Sequence, residues 1–394
     1  MQIIKKGKNF LFPFFFFFLK CVNFAFSKQK NVLHLNLLKK MATNHNHLVI
    51  MAGGIGSRFW PMSTTEFPKQ FIDVMGCGRT FLQLTFDRFE GVVPPENVWI
   101  VTSQKYKDIV REQLPEVPET NVLLEPCRRN TAPCIAYVAW RIKMADRNAN
   151  LVVTPSDHFI VNQKHFQEVI KQALTFTSQS DAIVTLGMKP SRPETGYGYI
   201  QADMSSPSLK NKNMFRVDSF KEKPNLETAK EYIRHDDFFW NSGIFIWSVS
   251  TIVNAMRIYA PEINNIFENM QQVLGTKDEQ EWIDREFPKC PSISVDYAIL
   301  EKAEEIFVLP ADFGWSDVGT WGSLIQLMKK DANGNAVVGP NVKLFETTNC
   351  IVHTAMEKKV VVQGLDNCIV AENNDTLLIC KLSEEQRIKQ FSED

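Results

Sequence analysis

The string Leu48-Val49-Ile50-Met51-Ala52 ends in Gly53-Gly54-Ile55-Gly56-Ser57-Arg58, with Pro68-Lys69 shortly after. An apolar strand runs into a glycine turn, and two fixed cations follow at short range. Glycines let the backbone approach a ligand closely, so N–H groups of the turn can face phosphate oxygens. Arg58 and Lys69 supply the compensating charge. This is the outline of a nucleoside triphosphate site. A P-loop needs four residues between its glycines and then Gly-Lys-Ser/Thr, and no such string occurs. The dinucleotide fingerprint needs a third glycine where, counting from Gly54, Phe59 stands. The plainer alternative is a strand-to-helix turn whose glycines serve geometry alone.

Later segments carry related chemistry. Glu125-Pro126-Cys127-Arg128-Arg129-Asn130-Thr131-Ala132-Pro133 leaves a strand and opens a helix. Asn130 or Thr131 suits an N-cap, with Pro133 in the first turn. Glu125 and two arginines around the same loop suit reading a purine edge or binding phosphate. Thr154-Pro155-Ser156-Asp157-His158 places an acid directly after a strand. Such a carboxylate is placed to hold Mg²⁺, which takes one or two carboxylates with phosphate oxygens and water. A helix cap or turn is the competing role. A second acid, Asp317 in Gly314-Trp315-Ser316-Asp317-Val318-Gly319, again follows a strand, at 306–309. Between them, Glu222-Lys223-Pro224 and Trp240-Asn241-Ser242-Gly243 offer a carboxylate, an ammonium and an amide to a polyhydroxylated, phosphorylated ligand. An exposed strand end and a tight turn are the alternatives there.

The elements that must position these residues alternate. Short apolar strands at 98–102, 122–125, 151–154 and 183–186 separate stretches at 105–114, 131–146 and 164–177 with apolar residues at helical spacing. The pattern predicts an α/β fold, a Rossmann-like, mostly parallel mixed sheet with helices on both faces. Ligands then sit at the carboxyl ends of the strands. Residues 196–201 and 215–221 read as hairpin or edge strands over the crevice. After Ala336 the helical pattern stops, and Asn349-Cys350-Ile351-Val352 recurs as Asn367-Cys368-Ile369-Val370. That spacing is three hexapeptides, one turn of a triangular β-helix; irregular β-sheet is the competing reading. The expected division is a leader over 1–47, a catalytic domain over 48–333 and a short C-terminal β domain over 336–390 resembling a left-handed β-helix. Asp331–Gly334 would be the junction.

Composition narrows the class. The 394 residues, 23% charged and 44% apolar, suffice for one large or two moderate domains with a full core. A net charge of −1 argues against nonspecific nucleic-acid binding. Eight cysteines without a C-x-x-C pair fit reduced thiols in the cytoplasm better than a disulfide framework or a zinc site. The beginning departs from this average: residues 1–40 hold eight lysines, nine phenylalanines and no acid. The apolar run 10–19 is about half a membrane span. It follows lysines as a signal peptide would, yet no Ala-x-Ala site comes after it. A natural start at Met41 is expected, with a disordered tail as the alternative, and no membrane partner.

Gly-Gly-x-Gly-Ser-Arg…Pro-Lys, Glu-Pro-x-x-Arg-Asn-Thr-Ala-Pro, Pro-x-Asp-His, Glu-Lys-Pro, Trp-Asn-Ser-Gly-Ile-Phe and Gly-Trp-Ser-Asp-Val-Gly-Thr-Trp occur in this order. From Leu48 onward the sequence therefore resembles the sugar nucleotidyltransferases. Within them it is similar to the mannose-1-phosphate guanylyltransferase, or GDP-mannose pyrophosphorylase, branch. The resemblance implies that Gly53, Gly54, Gly56 and Ser57 hold a triphosphate, with Arg58 and Lys69 on its outer phosphates. It implies that Glu125, Asn130, Thr131 and Ala132 bind guanosine and that Asp157 and Asp317 ligate Mg²⁺. Glu222 and Asn241 would contact mannose, Gly196 would join them, and Lys223 would anchor the sugar phosphate. Arg58, Lys69, Asp157 and Asp317 form the implied catalytic set. Ser156 stands where the family usually has Ala, and Lys221 where Val is common. Some relatives carry an appended cupin-type isomerase domain, which this sequence is not expected to supply.

The implied reaction joins GTP and α-mannose 1-phosphate into GDP-mannose and pyrophosphate. A homodimer is compatible with this reading. Three competitors stand beside it: a nucleotidyltransferase for another base or sugar, a non-catalytic GDP-mannose-binding regulatory subunit, and a nicotinamide dehydrogenase. The incomplete glycine fingerprint disfavours the last. Retention of both acids and both cations disfavours the regulatory subunit.

Overall fold

The computed structural model describes residues 45–54, 56–354 and 358–392. The expected leader as far as residue 44, with Met41, lies outside the described residues, as does Ile55.

Strand β1 (Asn46–Met51) lies inside because both of its faces are apolar. Val49 enters one hydrophobic core while Leu48 and Ile50 enter another on the opposite face. That is the signature of a strand covered on both sides. Strands β2 (Val98–Ser103), β3 (Val122–Glu125) and β4 (Asn150–Pro155) complete a parallel half in the order β3-β2-β1-β4. The helix Thr131–Ala145 packs into the first core and Gln163–Thr177 into the second. These two helices fall almost where apolar spacing predicts them. The chain leaves the sheet briefly as β5 (Phe159–Ile160).

The other half is built differently from the expectation. Strands β6 (Ile183–Met188), β7 (Tyr199–Pro207), β8 (Phe215–Lys221), β9 (Phe238–Ser248) and β10 (Ile306–Ala311) continue the same sheet. β9 pairs with β4 at its C-terminal end, with β6 alongside, and with β7 at its N-terminal end. The pairings β9-β6-β10-β8-β7-β9 therefore close a ring. Four pairings are parallel and five antiparallel, so the open, mostly parallel Rossmann-like sheet is corrected to an evenly mixed and closed one. The physical cause is β9, whose eleven residues are long enough to serve two neighbours on one edge. Its register against β6 shifts at Gly187, where a Cβ would stand 2.9 Å from that of Phe239.

After a two-residue strand β11 (Trp315–Ser316), six strands follow: β12 (Ala336–Val338), β13 (Val342–Phe345), β14 (Ile351–His353), β15 (Val360–Gln363), β16 (Cys368–Asn373) and β17 (Thr376–Lys381). β12, β14 and β16 stack in parallel, and β13 and β15 form a second parallel pair. Ile351 pairs with Ile369 and Val342 with Val360, which is the repeat spacing visible in the sequence. β17 ends the stack as an antiparallel hairpin with β16. A third core joins Ala336, Ile351, Ile369 and Ile388 to Phe59 and Trp321. These strands thus pack against the segments that follow the glycine turn and Asp317. No helix among the described residues is long and apolar enough to cross a membrane.

Candidate functional site

The glycine turn follows β1 directly. The buried amide of Gln70 staples it, donating to the carbonyls of Ala52 at 3.0 Å and Gly54 at 2.8 Å. Gly56 has φ +58°, and a Cβ there would stand 2.6 Å from that of Lys69. Only glycine lets the turn close on that lysine. Ser57 opens a short 3₁₀ turn, and Phe59 at its end packs on Trp321, ring centres 5.1 Å apart. Arg58 is exposed and forms no ion pair with another described residue.

Lys69 does not face outward beside Arg58. It is 3% exposed, and its ammonium meets Asp157 Oδ2 at 2.9 Å, the Asp317 carbonyl at 3.0 Å and the Val318 carbonyl at 2.8 Å. The rings of Phe59 and Phe81 lie 5.4 and 5.3 Å away. A buried ammonium needs an acceptor for each N–H, and the three oxygens supply them. Val318 takes φ +46°, rare for a β-branched residue, and the lysine grips carbonyls on both sides of that strained link. Burial is the largest single influence on Asp157 and opposes its ionisation. The Lys69 charge, the neighbouring His158 and the hydrogen bonds from Lys69 and the backbone together outweigh it and hold the carboxyl below its usual range.

The two acids are brought together by β5 and β11. Phe159 pairs with Ser316 in an antiparallel ribbon, so Asp157 and Asp317 flank one small piece of sheet. Trp315 Nε1 donates to His158 Nδ1 at 3.2 Å. Burial pushes the His158 imidazole down to about 4, so it accepts this bond as a neutral ring. Asp317 Oδ1 accepts from Tyr197 Oη at 2.6 Å and from the Gly319 N–H at 3.0 Å. Burial, and then the Asp317 charge, raise the Tyr197 phenol. Lys69 takes one oxygen of Asp157, and Tyr197 and Gly319 take one of Asp317. Among the described residues, no other group pairs with the second oxygen of either carboxylate. No group of three or more His, Cys, Asp or Glu among the described residues could hold a metal by itself.

Asp317 also lines a cavity of about 200 Å³ with Gly196, Tyr197, Glu222, Asn241 and Asp296. Asn241 is locked there: Oδ1 accepts from Thr185 Oγ1 at 3.2 Å and the Gly243 N–H at 3.1 Å, and Nδ2 donates to Asp296 Oδ1 at 3.0 Å. Glu222 is largely buried and ion-paired with exposed Lys223. Burial, and then Glu222, push the Asp296 carboxyl up to about 6. Sequence reasoning missed Asp296, Tyr197 and Gln70. Tyr197 carried a signal, an aromatic between two glycines; Asp296, in an otherwise apolar stretch, carried none.

Glu125 ends β3 and is 8% exposed. Its Oε1 has no hydrogen-bond partner among the described residues, and its Oε2 lies 3.4 Å from where a Cβ on Gly53 would be. Burial lifts this carboxyl to about 8, with Cys134 opposing. Asn130 caps the following helix, its side chain accepting from the Thr131 N–H at 2.9 Å. Thr131 Oγ1 accepts from the Val295 N–H at 2.9 Å. The buried Ala132 spends its N–H on the Ile293 carbonyl at 3.1 Å, so that donor is not free for a ligand. Glu125 is thereby set beside the glycine turn, and Thr131 and Ala132 tie the loop to the segment bearing Asp296.

Comparison with known proteins shows which family the chain is similar to. Residues 47–334 match the nucleotidyl transferase family model. A mannose-1-phosphate guanylyltransferase of Escherichia coli is 35% identical over 87% of this chain and 74% of its own length. The alginate biosynthesis protein AlgA of Pseudomonas syringae is 37% identical over 87% of this chain and 70% of its own. A crystal structure named as mannose-1-phosphate geranyltransferase, from Thermus thermophilus, superposes with a TM-score of 0.78 at 29% identity, covering 88% of this chain and 98% of that one. With a glycine turn, two converging acids and the matching sequence all in one place, the chain belongs to the mannose-1-phosphate guanylyltransferase family of nucleotidyltransferases.

Proposed function

We propose that this chain transfers GMP from GTP to α-mannose 1-phosphate, giving GDP-mannose and pyrophosphate, and that it does so in the cytoplasm. The observation that carries this reading is the meeting of Asp157 and the Asp317 loop on Lys69, between the glycine turn and the cavity lined by Glu222 and Asn241.

A phosphate oxygen of the sugar phosphate attacks the α-phosphorus of GTP in line. The new P–O bond forms as the bond to the β-phosphate breaks, and pyrophosphate leaves with that electron pair. The nucleophile is anionic near neutral pH, its second pKa being about 6 as in other phosphomonoesters, so no general base is needed. The difficulty is the approach of two polyanions. Gly53, Gly54, Gly56 and Ser57 would receive the triphosphate, and exposed Arg58 would meet its outer phosphates. Lys69 would act through what it holds, fixing Asp157 and the Asp317 loop in place. Glu125 would accept from the guanine edge. Glu222, Asn241 and Gly196 would take the sugar, and Lys223 its phosphate.

Asp157 and Asp317 suit Mg²⁺ by their donor set: one carboxylate oxygen each that no other described residue engages, beside the proposed phosphate site, where this ion would keep water and phosphate as its remaining ligands. Bound there, it would neutralise phosphate charge and align the reacting groups. We also infer that the parallel strands β12–β16 form a short left-handed β-helix. Pyrophosphate release with GTP, mannose 1-phosphate and Mg²⁺, each omitted in turn, tests the reading. Release that continues without the sugar phosphate would overturn it.

A further inference from the structure

We propose that Asp296 binds a hydroxyl of the sugar phosphate and, with Asn241, sets which sugar the cavity accepts. This rests on the reading of that cavity as the sugar-phosphate site.

A hexose ring brings hydroxyl donors that need acceptors once buried. The cavity wall has few acceptors to give. Asn241 Oδ1 already accepts twice, from Thr185 and Gly243, so Asn241 can offer the ligand only its second N–H. Glu222 is engaged with Lys223 at one oxygen, and Asp317 Oδ1 accepts from Tyr197 and Gly319. Asp296 uses Oδ1 for Asn241 and is also hydrogen-bonded by Ser294, and a carboxylate with about four acceptor positions keeps room on the cavity side for a ligand hydroxyl.

Its placement is rigid. Asp296 opens the π-helical turn Asp296–Leu300, and its carbonyl accepts from the Glu301 N–H at 2.9 Å. The preceding residue donates to Thr131 in the nucleotide loop. The carboxylate is thus fixed relative to both substrates, which a specificity contact requires. Two carboxylates, Asp296 and Glu222, face one small space, and their mutual repulsion is relieved when hydroxyl donors arrive. A site built to hydrogen-bond a hydroxyl rejects the analogue lacking it, because its own buried acceptor is then left unpaired.

The test compares mannose 1-phosphate with its 2-, 3-, 4- and 6-deoxy analogues in the wild type, Asp296→Asn and Asp296→Ser. Pyrophosphate release gives kcat and KM for each. The wild type should discriminate against one analogue by about 10- to 100-fold in kcat/KM. Both variants should lose that discrimination, to within about threefold, with KM for the sugar raised and KM for GTP unchanged. A purely structural role would instead lower kcat/KM for all five sugars in proportion, and that pattern overturns the proposal. So does an unchanged KM for the sugar. Calorimetric titration of folded wild type and variants with mannose 1-phosphate alone gives a second readout, in which about tenfold weaker binding in the variants is expected and equal binding refutes the role. A wild type that binds but turns over none of these sugars would sink the transferase reading and leave this titration decisive for Asp296.

Discussion

Lys69 Nζ lies 2.9 Å from Asp157 Oδ2, and the same ammonium holds the carbonyls of Asp317 and Val318. One buried cation therefore fixes two segments that are far apart in sequence and together carry both acids of the site.

Removing that cation should unpair a carboxylate and two buried carbonyls at once. Lys69→Met is expected to lose about 3 kcal/mol of stability, read from urea denaturation. The acid dependence should change too. The Asp157 carboxyl is lowered on folding, so its pairing stabilises the protein above the usual carboxyl value of 3.8 and is lost as pH falls through the lowered one. In Lys69→Met that part of the acid limb should vanish. A variant as stable as wild type with the same acid limb would remove the clamp.

Glu125 works in the opposite sense. Folding raises its carboxyl from 4.5 to about 8. Its contribution is fully present below 4.5 and lost as pH rises through 8. Glu125→Gln should therefore melt higher than wild type at about pH 8.5 and equally at about pH 4.5, by calorimetry without ligand. Above about pH 8, where this carboxyl is ionised, the same variant should raise KM for GTP by about tenfold or more, since a carboxylate accepts from the guanine edge better than an amide. Identical melting differences at both pH values would contradict the burial argument.

The glycine turn separates geometry from mere composition. Gly56→Ala should cost about 1–3 kcal/mol, because φ +58° and the Lys69 Cβ both oppose a methyl group. Gly54→Ala should leave stability nearly unchanged, since nothing lies within 4 Å of its Cβ position. Equal losses in the two melts would show that the turn does not depend on its approach to Lys69.

Tyr197→Phe removes the 2.6 Å bond to Asp317 and little else. Freed of that donor, Asp317 should hold its place less well, and kcat should fall about tenfold with the fold intact, on the scale of a hydrogen bond to a charged group. Unchanged kcat would leave the phenol a packing residue only.

The parallel half of the sheet was legible because β1 to β4 are apolar on both faces, the helix after β3 is apolar nearly all round and the helix after β5 keeps a clean apolar stripe. Both acids were legible from the rule that ligands gather at strand ends. Ring closure was not: it depends on which partners an eleven-residue strand finds, and β9 finds three. Nor was the inward turn of Lys69, since two of its acceptors are backbone carbonyls far along the chain that no side-chain pattern encodes. Asp296 lacked any motif, and only the cavity shows what it faces.

The most direct measurement is pyrophosphate release from GTP and mannose 1-phosphate with Mg²⁺, in wild type and in folded Asp157→Asn and Asp317→Asn. Wild type should depend on all three components, and each variant should lose about 10²–10³ in kcat. Turnover in both variants equal to wild type would contradict the role given to the two carboxylates.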